Sequence, residues 1–391
     1  MYRSTRFGEL MKGLPRKSFT KIVKRLKGDK YCKGFDPWDH LIALVYAQLS
    51  GSESLREVET GFNSQCAAHY HLGSREVKRS TLADANRQRN AEVFAEVCGQ
   101  LMGQAQRKLR REMKDLLYLL DSTPIPLKGL GYEWAQENHN HRTHGLKVHM
   151  LYAPQQGIPV RADITSANVN DIETGREIPV EAGATYVFDK GYNDYNWWYS
   201  LHEQEATFIT RLKQNASVRH VSSLTVSTDA GESGILEDVV VEFKHKQPGG
   251  KRINHYHGTP VRRITVHRPD KERPLILICN DFDRSAEEIA DLYKQRWGIE
   301  LFFKWLKQNL KIKRFLGRSE NAVRIQIYTA LITYLLAHLY ACREGVVQSL
   351  KLWLVEVRAG LFQRPETEQT TARKRKRESQ ALLSMQGVLA L

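Results

Sequence analysis

A chain of 391 residues, 41% hydrophobic and 26% charged, is neither disordered nor fibrous and has room for two to three domains with a sizeable core. Its formal net charge of +15 argues for a polyanionic partner, nucleic acid first and an acidic membrane second. Five scattered cysteines without a C-x-x-C pair fit a reducing cytosol and supply no zinc framework; Cys66 with His69 and His71 lacks a fourth ligand.

The opening MYRSTRFGEL has no apolar segment of the kind a signal peptide needs. The first 35 residues carry eleven Lys or Arg against Glu9 and Asp29, and SFTKIVKRLKG alternates basic and apolar residues as an amphipathic helix would. Asp36-Pro37-Trp38 predicts a helix start, with Leu41, Ile42, Leu44, Val45 and Leu49 on the buried side. Further short helices are predicted over 52–58 and 80–101, and a charged linker helix over 106–115. Residues 1–108 thus read as a helical DNA-binding domain, with a helix suited to the major groove; the alternative is an ordinary solvated basic face.

From Leu116 the period changes. LLYLLDSTPI predicts a strand ending at Asp121 and a Ser-Thr-Pro turn. GLKVHMLYAP and residues 158–164 predict a second and third strand joined by a tight turn at 154–157. Asn170 and Asp171 read as the cap of a short helix, 172–178. ATYVFDKG predicts a fourth strand ending at Asp189, followed by an aromatic helix over 194–204 and a fifth strand over 206–213. This order, closed by a later long helix, is that of an α/β domain with an RNase H-like catalytic core. Its first part spans 109–215, and its last strand and helices span 274–345. Between them, 216–273 reads as an all-β insertion, with strands LEDVVVEFK and RRITVHR and a turn at Pro248-Gly249-Gly250. The apolar run 325–341 is short for a membrane span and contains Gln326 and His338, so a core helix is expected. Residues 346–391 read as a helical and basic tail containing ARKRKRES.

The stretch AEEIADLYKQRWGIELFFKWLKQNL, 286–310, predicts one helix opened by the capping box Ser285 and Glu288. At about 100° per residue, Tyr293, Arg296, Glu300 and Lys307 share a sector roughly 60° wide, beside an apolar seam of Leu292, Ile299, Phe303, Leu306 and Leu310. Such a sector alone could be a solvated face with i,i+4 pairs. Asp121 and Asp189 at strand ends change that reading. Three carboxylates brought together would raise one another's pKa, and a divalent cation removes the difficulty. Asp121, Asp189 and Glu300 are therefore candidate catalytic residues and metal ligands for Mg²⁺ or Mn²⁺. Two ions about 4 Å apart would serve an in-line phosphoryl displacement. Arg296 suits a phosphate, Lys307 a strand further along, and Tyr293 a phosphate oxygen; Trp297 either packs in the core or stacks on an unpaired base. Among competing acids, Asp171 and Asp194 read as caps and Asp163 as outward-pointing. His139, His141, His144 and His149 read as a polar loop leading into a strand.

Tyr293, Arg296, Glu300 and Lys307 fit Tyr-x2-Arg-x3-Glu-x6-Lys without a gap. With LLDSTPI, ITSANVND and VFDKGYNDYNWW, the chain over roughly 116–340 resembles the DDE transposases of the bacterial insertion-sequence-four group. The resemblance implies a cytoplasmic, metal-dependent enzyme that binds the terminal inverted repeats of double-stranded DNA, nicks element ends and joins the 3′-hydroxyl to target DNA. It also implies cut-and-paste transposition by a homodimer in a synaptic complex, and an RNase H-like fold with an insertion between Asp189 and Glu300. Alternatives are a metal nuclease of the same fold without strand transfer, and a DNA-binding repressor with an inactive site.

Overall fold

The computed structural model describes residues 4–30, 32–112, 115–135, 144–224, 234–248, 250–269, 271–310, 312, 314–346 and 348–365. It divides into two compact units, one formed by Met1–Ala85 with Leu336–Leu391 and the other by Asn86–Leu335. His139, His141, Gly249 and the basic run 372–379 lie outside the described residues.

The first unit is helical. Its helices are α1 (Arg6–Met11), α2 (Arg16–Arg25), α3 (Pro37–Ser50), α4 (Leu55–Asn63) and the start of α5 (Arg79–Gln88), with a 3-10 turn at Cys66–Leu72. From the C-terminal part come the end of α11 (Glu320–Glu344) and α12 (Leu350–Ala359). α2 buries Phe19, Ile22 and Val23 and exposes Lys17, Lys21, Lys24 and Arg25, so its amphipathic pattern is realised. α3 starts where expected: the Asp36 and Asp39 side chains form a capping box and Pro37 occupies the first turn. It is buried all round from Pro37 to Leu49 rather than on one side. A helix hydrophobic enough to be enclosed has no solvent face to show. Two of its polar groups are matched: buried Asp39 accepts from Ser74 Oγ at 2.8 Å, and Trp38 Nε1 donates to Leu72 O at 2.8 Å. His69 lies against the Phe62 ring with its Nε2 2.9 Å from Phe62 O, a structural use that leaves Cys66 exposed by itself.

The second unit is a mixed α/β sheet with helices. α6 (Glu92–Glu112) takes in the expected linker helix as far as Glu112, and the single helix expected over 80–101 is split before it at 89–91. The strands are β1 (Leu117–Pro126), β2 (Gly145–Ala153), β3 (Ile158–Ser166), β4 (Thr185–Phe188), β5 (Thr207–Arg211), β6 (Val218–Ser223), β7 (Ile235–Phe243), β8 (Val261–Val266) and β9 (Leu275–Cys279), in the order β3-β2-β1-β4-β5-β9-β8-β7-β6. β1 pairs antiparallel with β2 and parallel with β4, and β4 parallel with β5. The central strands are nearly continuous apolar runs because both faces are covered: Leu117 to Leu120 and Thr185 to Phe188 are all buried.

Three expectations are corrected. β1 does not stop at Asp121. It stays paired with β2 as far as Pro126 opposite Gly145, and only its pairing with β4 ends, at Leu120. Past that point β1 has β2 alone beside it, and Pro124 and Pro126 are tolerated as on an edge strand. The inserted strands β6 to β8 are not set apart: β8 pairs with β9, which pairs with β5, so all of them continue the same sheet. A buried ion pair, Arg262 to Asp238 at 2.7 Å, ties β8 to β7. The helix expected over 286–310 is two: α9 (Ala286–Lys294) and α10 (Trp297–Asn309). Between them Arg296 N bonds to Tyr293 O and Gly298 N to Gln295 O, so i→i−4 bonding tightens to i→i−3. The apolar stretch of α11 is 72% buried, as expected of a core helix.

Candidate active site

Leu119 pairs with Val187 and Leu120 with Phe188 in the parallel β1/β4 ladder. Asp121 and Asp189 are the next residues on the two strands, just past the last paired rung, where the strands part company. Carboxyl ends of adjacent parallel strands are the usual mouth of an α/β site. Asp189 turns the chain into a short 3-10 segment, Lys190–Tyr192. α10 lies over β1, with Gly298 against Leu119. Two residues further along α10 stands Glu300. At the far end Lys307 Nζ donates to Thr123 Oγ1 at 2.6 Å and to Pro124 O at 3.2 Å, so the helix tracks β1 beyond Asp121.

The charges meet at Arg296. Its Nη1 is 2.7 Å from Glu300 Oε1 and 3.6 Å from Asp121 Oδ2, and it is largely buried. Burial pushes the Asp121 carboxyl up to about 6, with Glu300 and Asp189 adding to the rise against the Ser122 N–H and Arg296. Asp189 Oδ1 is buried without a hydrogen-bond partner, its nearest cation being Arg211 Nη1 at 3.8 Å. Burial pushes the Tyr293 phenol up to about 12, with Asp189 adding to it.

The structure thus brings Asp121, Asp189, Glu300, Arg296 and Tyr293 into one electrostatic neighbourhood. Arg296 is engaged by carboxylates rather than turned to solvent, and Lys307 is engaged by β1. Trp297 is 61% exposed, which removes the core-packing alternative, and the Arg296 guanidinium lies 5.8 Å from its ring centre. Among the described residues no three His, Cys, Asp or Glu side chains stand close enough to hold a metal ion as placed; Arg296 Nη1 lies between two of the acids.

The competing acids resolve differently. Asp194 caps α8 (Tyr195–Glu203), accepting from Asn196 N and Trp197 N, and is paired with Arg176 and Arg252. Asp163 pairs with Arg161 at 2.6 Å. Asp171 is the first residue of α7 (Asp171–Arg176), and neither Asn170 nor Asp171 acts as a side-chain cap. Its carboxylate accepts from Ser122 Oγ at 2.8 Å and Lys147 Nζ at 3.1 Å. His144 bonds Ala135 O. His149 is buried in β2 with Nε2 2.9 Å from Thr165 Oγ1, so the described histidines form no exposed cluster. Arg211 and Asp171 were missed by sequence reasoning. Arg211 ends the third parallel strand, two strands from Asp121, and pairing the predicted strands would have placed it.

A family model described as a transposase DDE domain matches residues 112–336, more than half of the chain. The chain belongs to that family. Membership places it among transposases, enzymes of DNA transposition. A second model, described only as a domain of unknown function, matches residues 2–75. The chain is 43% identical over 284 residues to "Putative transposase y4zB" of Sinorhizobium fredii, covering 72% of this chain and 77% of that protein. It is 27% identical over 259 residues to "Probable transposase for insertion sequence element IS5377" of Geobacillus stearothermophilus, covering 66% of each. A solved piggyBac transposase synaptic complex with hairpin DNA aligns with 90% of this chain and 77% of its own at 10% identity and a TM-score of 0.46, too low to carry the fold across.

Proposed function

We propose that this transposase is a metal-dependent, cut-and-paste enzyme of the insertion-sequence-four type, with an RNase H-like core, acting on double-stranded DNA. The observation that carries the reading is the pair Asp121 and Asp189. Two carboxylates each follow the last paired residue of adjacent parallel strands at the sheet's carboxyl edge, one pushed up to about 6 and the other with a buried oxygen lacking any hydrogen-bond partner. A structural core does not accumulate such costs, whereas a hard divalent cation with oxygen ligands relieves both. Asp121, Asp189 and Glu300 would hold Mg²⁺ or Mn²⁺, two ions on this reading, which when bound supply charge stabilisation for phosphoryl displacement.

The chain's own residues divide the remaining work. Arg296, between Asp121 and Glu300, is the counterion of both carboxylates, and its planar guanidinium would suit a phosphate brought to them. Arg211 places a second cation beside Asp189 at the same edge. Tyr293 keeps its proton throughout the neutral range and donates to a phosphate oxygen. Lys307 and Trp297 extend the surface along α10. The helical first unit with its basic α2 is the reading for binding terminal inverted repeats, within the expected domain 1–108, and a homodimer would hold two ends in the cytoplasm.

The test uses a DNA duplex with an element end, target DNA and Mg²⁺. The expected result is nicking and joined product from the natural chain. Asp121→Asn, Asp189→Asn and Glu300→Gln should each lose nicking by at least about 10³-fold while keeping end binding. Nicks without joined product would instead make it a nuclease, and undiminished nicking by all three variants would remove the site.

A further inference from the structure

Asp171 touches both stretches that carry the paired aspartates. On one side its Oδ1 accepts from Ser122 Oγ at 2.8 Å, and the Ser122 N–H in turn donates to Asp121 Oδ1 at 2.8 Å. On the other side a Cβ at Gly191 would stand only 3.2 Å from Asp171 Oδ2, two residues past Asp189. α7 is seated on that same turn, since a Cβ at Gly175 would meet Tyr192 Cδ1 at 3.0 Å. Beneath, Lys147 Nζ spans Asp171 Oδ1 at 3.1 Å and Val169 O at 2.8 Å. Buried His149, 3.6 Å away through Nδ1, closes the floor.

We infer that Asp171 is a positioning residue that holds the Asp121 and Asp189 stretches in place, and is not itself a ligand. Oδ1 already has two donors, one of them an ammonium, so the charge is matched and the oxygen is occupied. Ser122 conveys its position to Asp121, and the close backbone at Gly191 conveys it to the Asp189 turn. The inference rests on the ion-site reading above. Partners of this kind, one step behind the ligands, typically set metal affinity by about 10- to 100-fold.

The distinguishing property is that a brace needs an acceptor and a ligand needs a charge. Asn at 171 keeps the acceptor for Ser122 and Lys147; Ala removes it. The experiment titrates Mn²⁺ into the full chain and follows free Mn²⁺ by its paramagnetic resonance, without DNA. Asp171→Ala should weaken Mn²⁺ binding about 10-fold or more, and Asp171→Asn should remain within about 3-fold of the natural chain. Ser122→Ala should weaken it in the same direction, and adding it to Asp171→Ala should change nothing further.

If Asp171→Ala bound Mn²⁺ as the natural chain does, the brace would be refuted. If Asp171→Asn were as weak as Asp171→Ala, Asp171 would be a ligand instead. Should Asp171→Ala fail to fold, by circular dichroism, Ser122→Ala decides alone: weakened binding supports the brace, unchanged binding overturns it. Separately, an Asp121→Asn chain binding Mn²⁺ undiminished would remove the ion site and the brace with it.

Discussion

Arg296 Nη1 and Glu300 Oε1 lie 2.7 Å apart on successive turns, and the same nitrogen reaches toward Asp121 at 3.6 Å. Arg296 therefore acts as an internal counterion to both carboxylates. In metal-free buffer, Arg296→Gln should be less stable than the natural chain by about 1–3 kcal/mol at pH 8, because removing one partner leaves partly buried charge unmatched. The loss should shrink at pH 5, where Asp121 is protonated and has less need of a counterion. Urea unfolding in chelator at the two pH values measures it. An equal loss at both would assign Arg296 to packing rather than charge.

Gly145 and Gly103 should respond oppositely to alanine. Gly145 opens β2 opposite Pro126, and a Cβ there would stand 2.3 Å from Ile125 O and 3.2 Å from Pro126 Cα. Both obstacles are backbone, so the β1/β2 ladder beyond Asp121 must move. Gly145→Ala should cost about 2 kcal/mol or more. Gly103 lies inside α6 with nothing within 4 Å of a built Cβ, and Gly103→Ala should stabilise by about 0.5–1 kcal/mol. Thermal melts of both variants check the pair. A neutral Gly145→Ala would mean that the strand is not held as described.

The ends of the apolar runs before Asp121 and Asp189 and the helical face holding Glu300 were legible because each is a local pattern: an apolar run that stops, or a period that repeats. What escaped depends on partners distant along the chain. Asp171 looked like a helix cap because Asn-Asp before a helix commonly is one; its carboxylate is diverted to Ser122, 49 residues away, and only the assembled sheet shows that. Arg211 became part of the site through a parallel neighbour, which a single strand cannot announce. The tightened turn at Gln295 and Arg296 interrupts a periodic stretch that reads as one helix, since hydrophobic period alone does not distinguish i→i−4 from i→i−3 bonding. The joining of the inserted strands to the core sheet through β8 and β9 is likewise a pairing choice, invisible in the all-β composition of the insertion.

Asp121 and His149 carry opposite dependences on pH. Burial, with Glu300 and Asp189 adding, raises Asp121 from 3.8 to about 6. Burial lowers His149 from 6.5 to about 4 against the pull of Asp171. Between about pH 4 and 6 folded Asp121 keeps a proton that the unfolded chain has released, so its contribution to stability falls as pH rises. Across roughly the same interval folded His149 is neutral while the unfolded chain's imidazole is charged, so its contribution rises with pH and is lost as pH falls through about 4. At 1.36 kcal/mol per pKa unit each amounts to at most about 3 kcal/mol, and the two nearly cancel. Asp121→Asn deletes the first and leaves the second. In chelator, the stability of the variant minus that of the natural chain should therefore grow from pH 4 to 6, by about 2–3 kcal/mol, and stay level above. Urea unfolding across pH 4–8 gives this difference directly. A difference that does not change with pH would mean that Asp121 titrates at its ordinary value, and the burial of its carboxyl beside the other acids would lose its support.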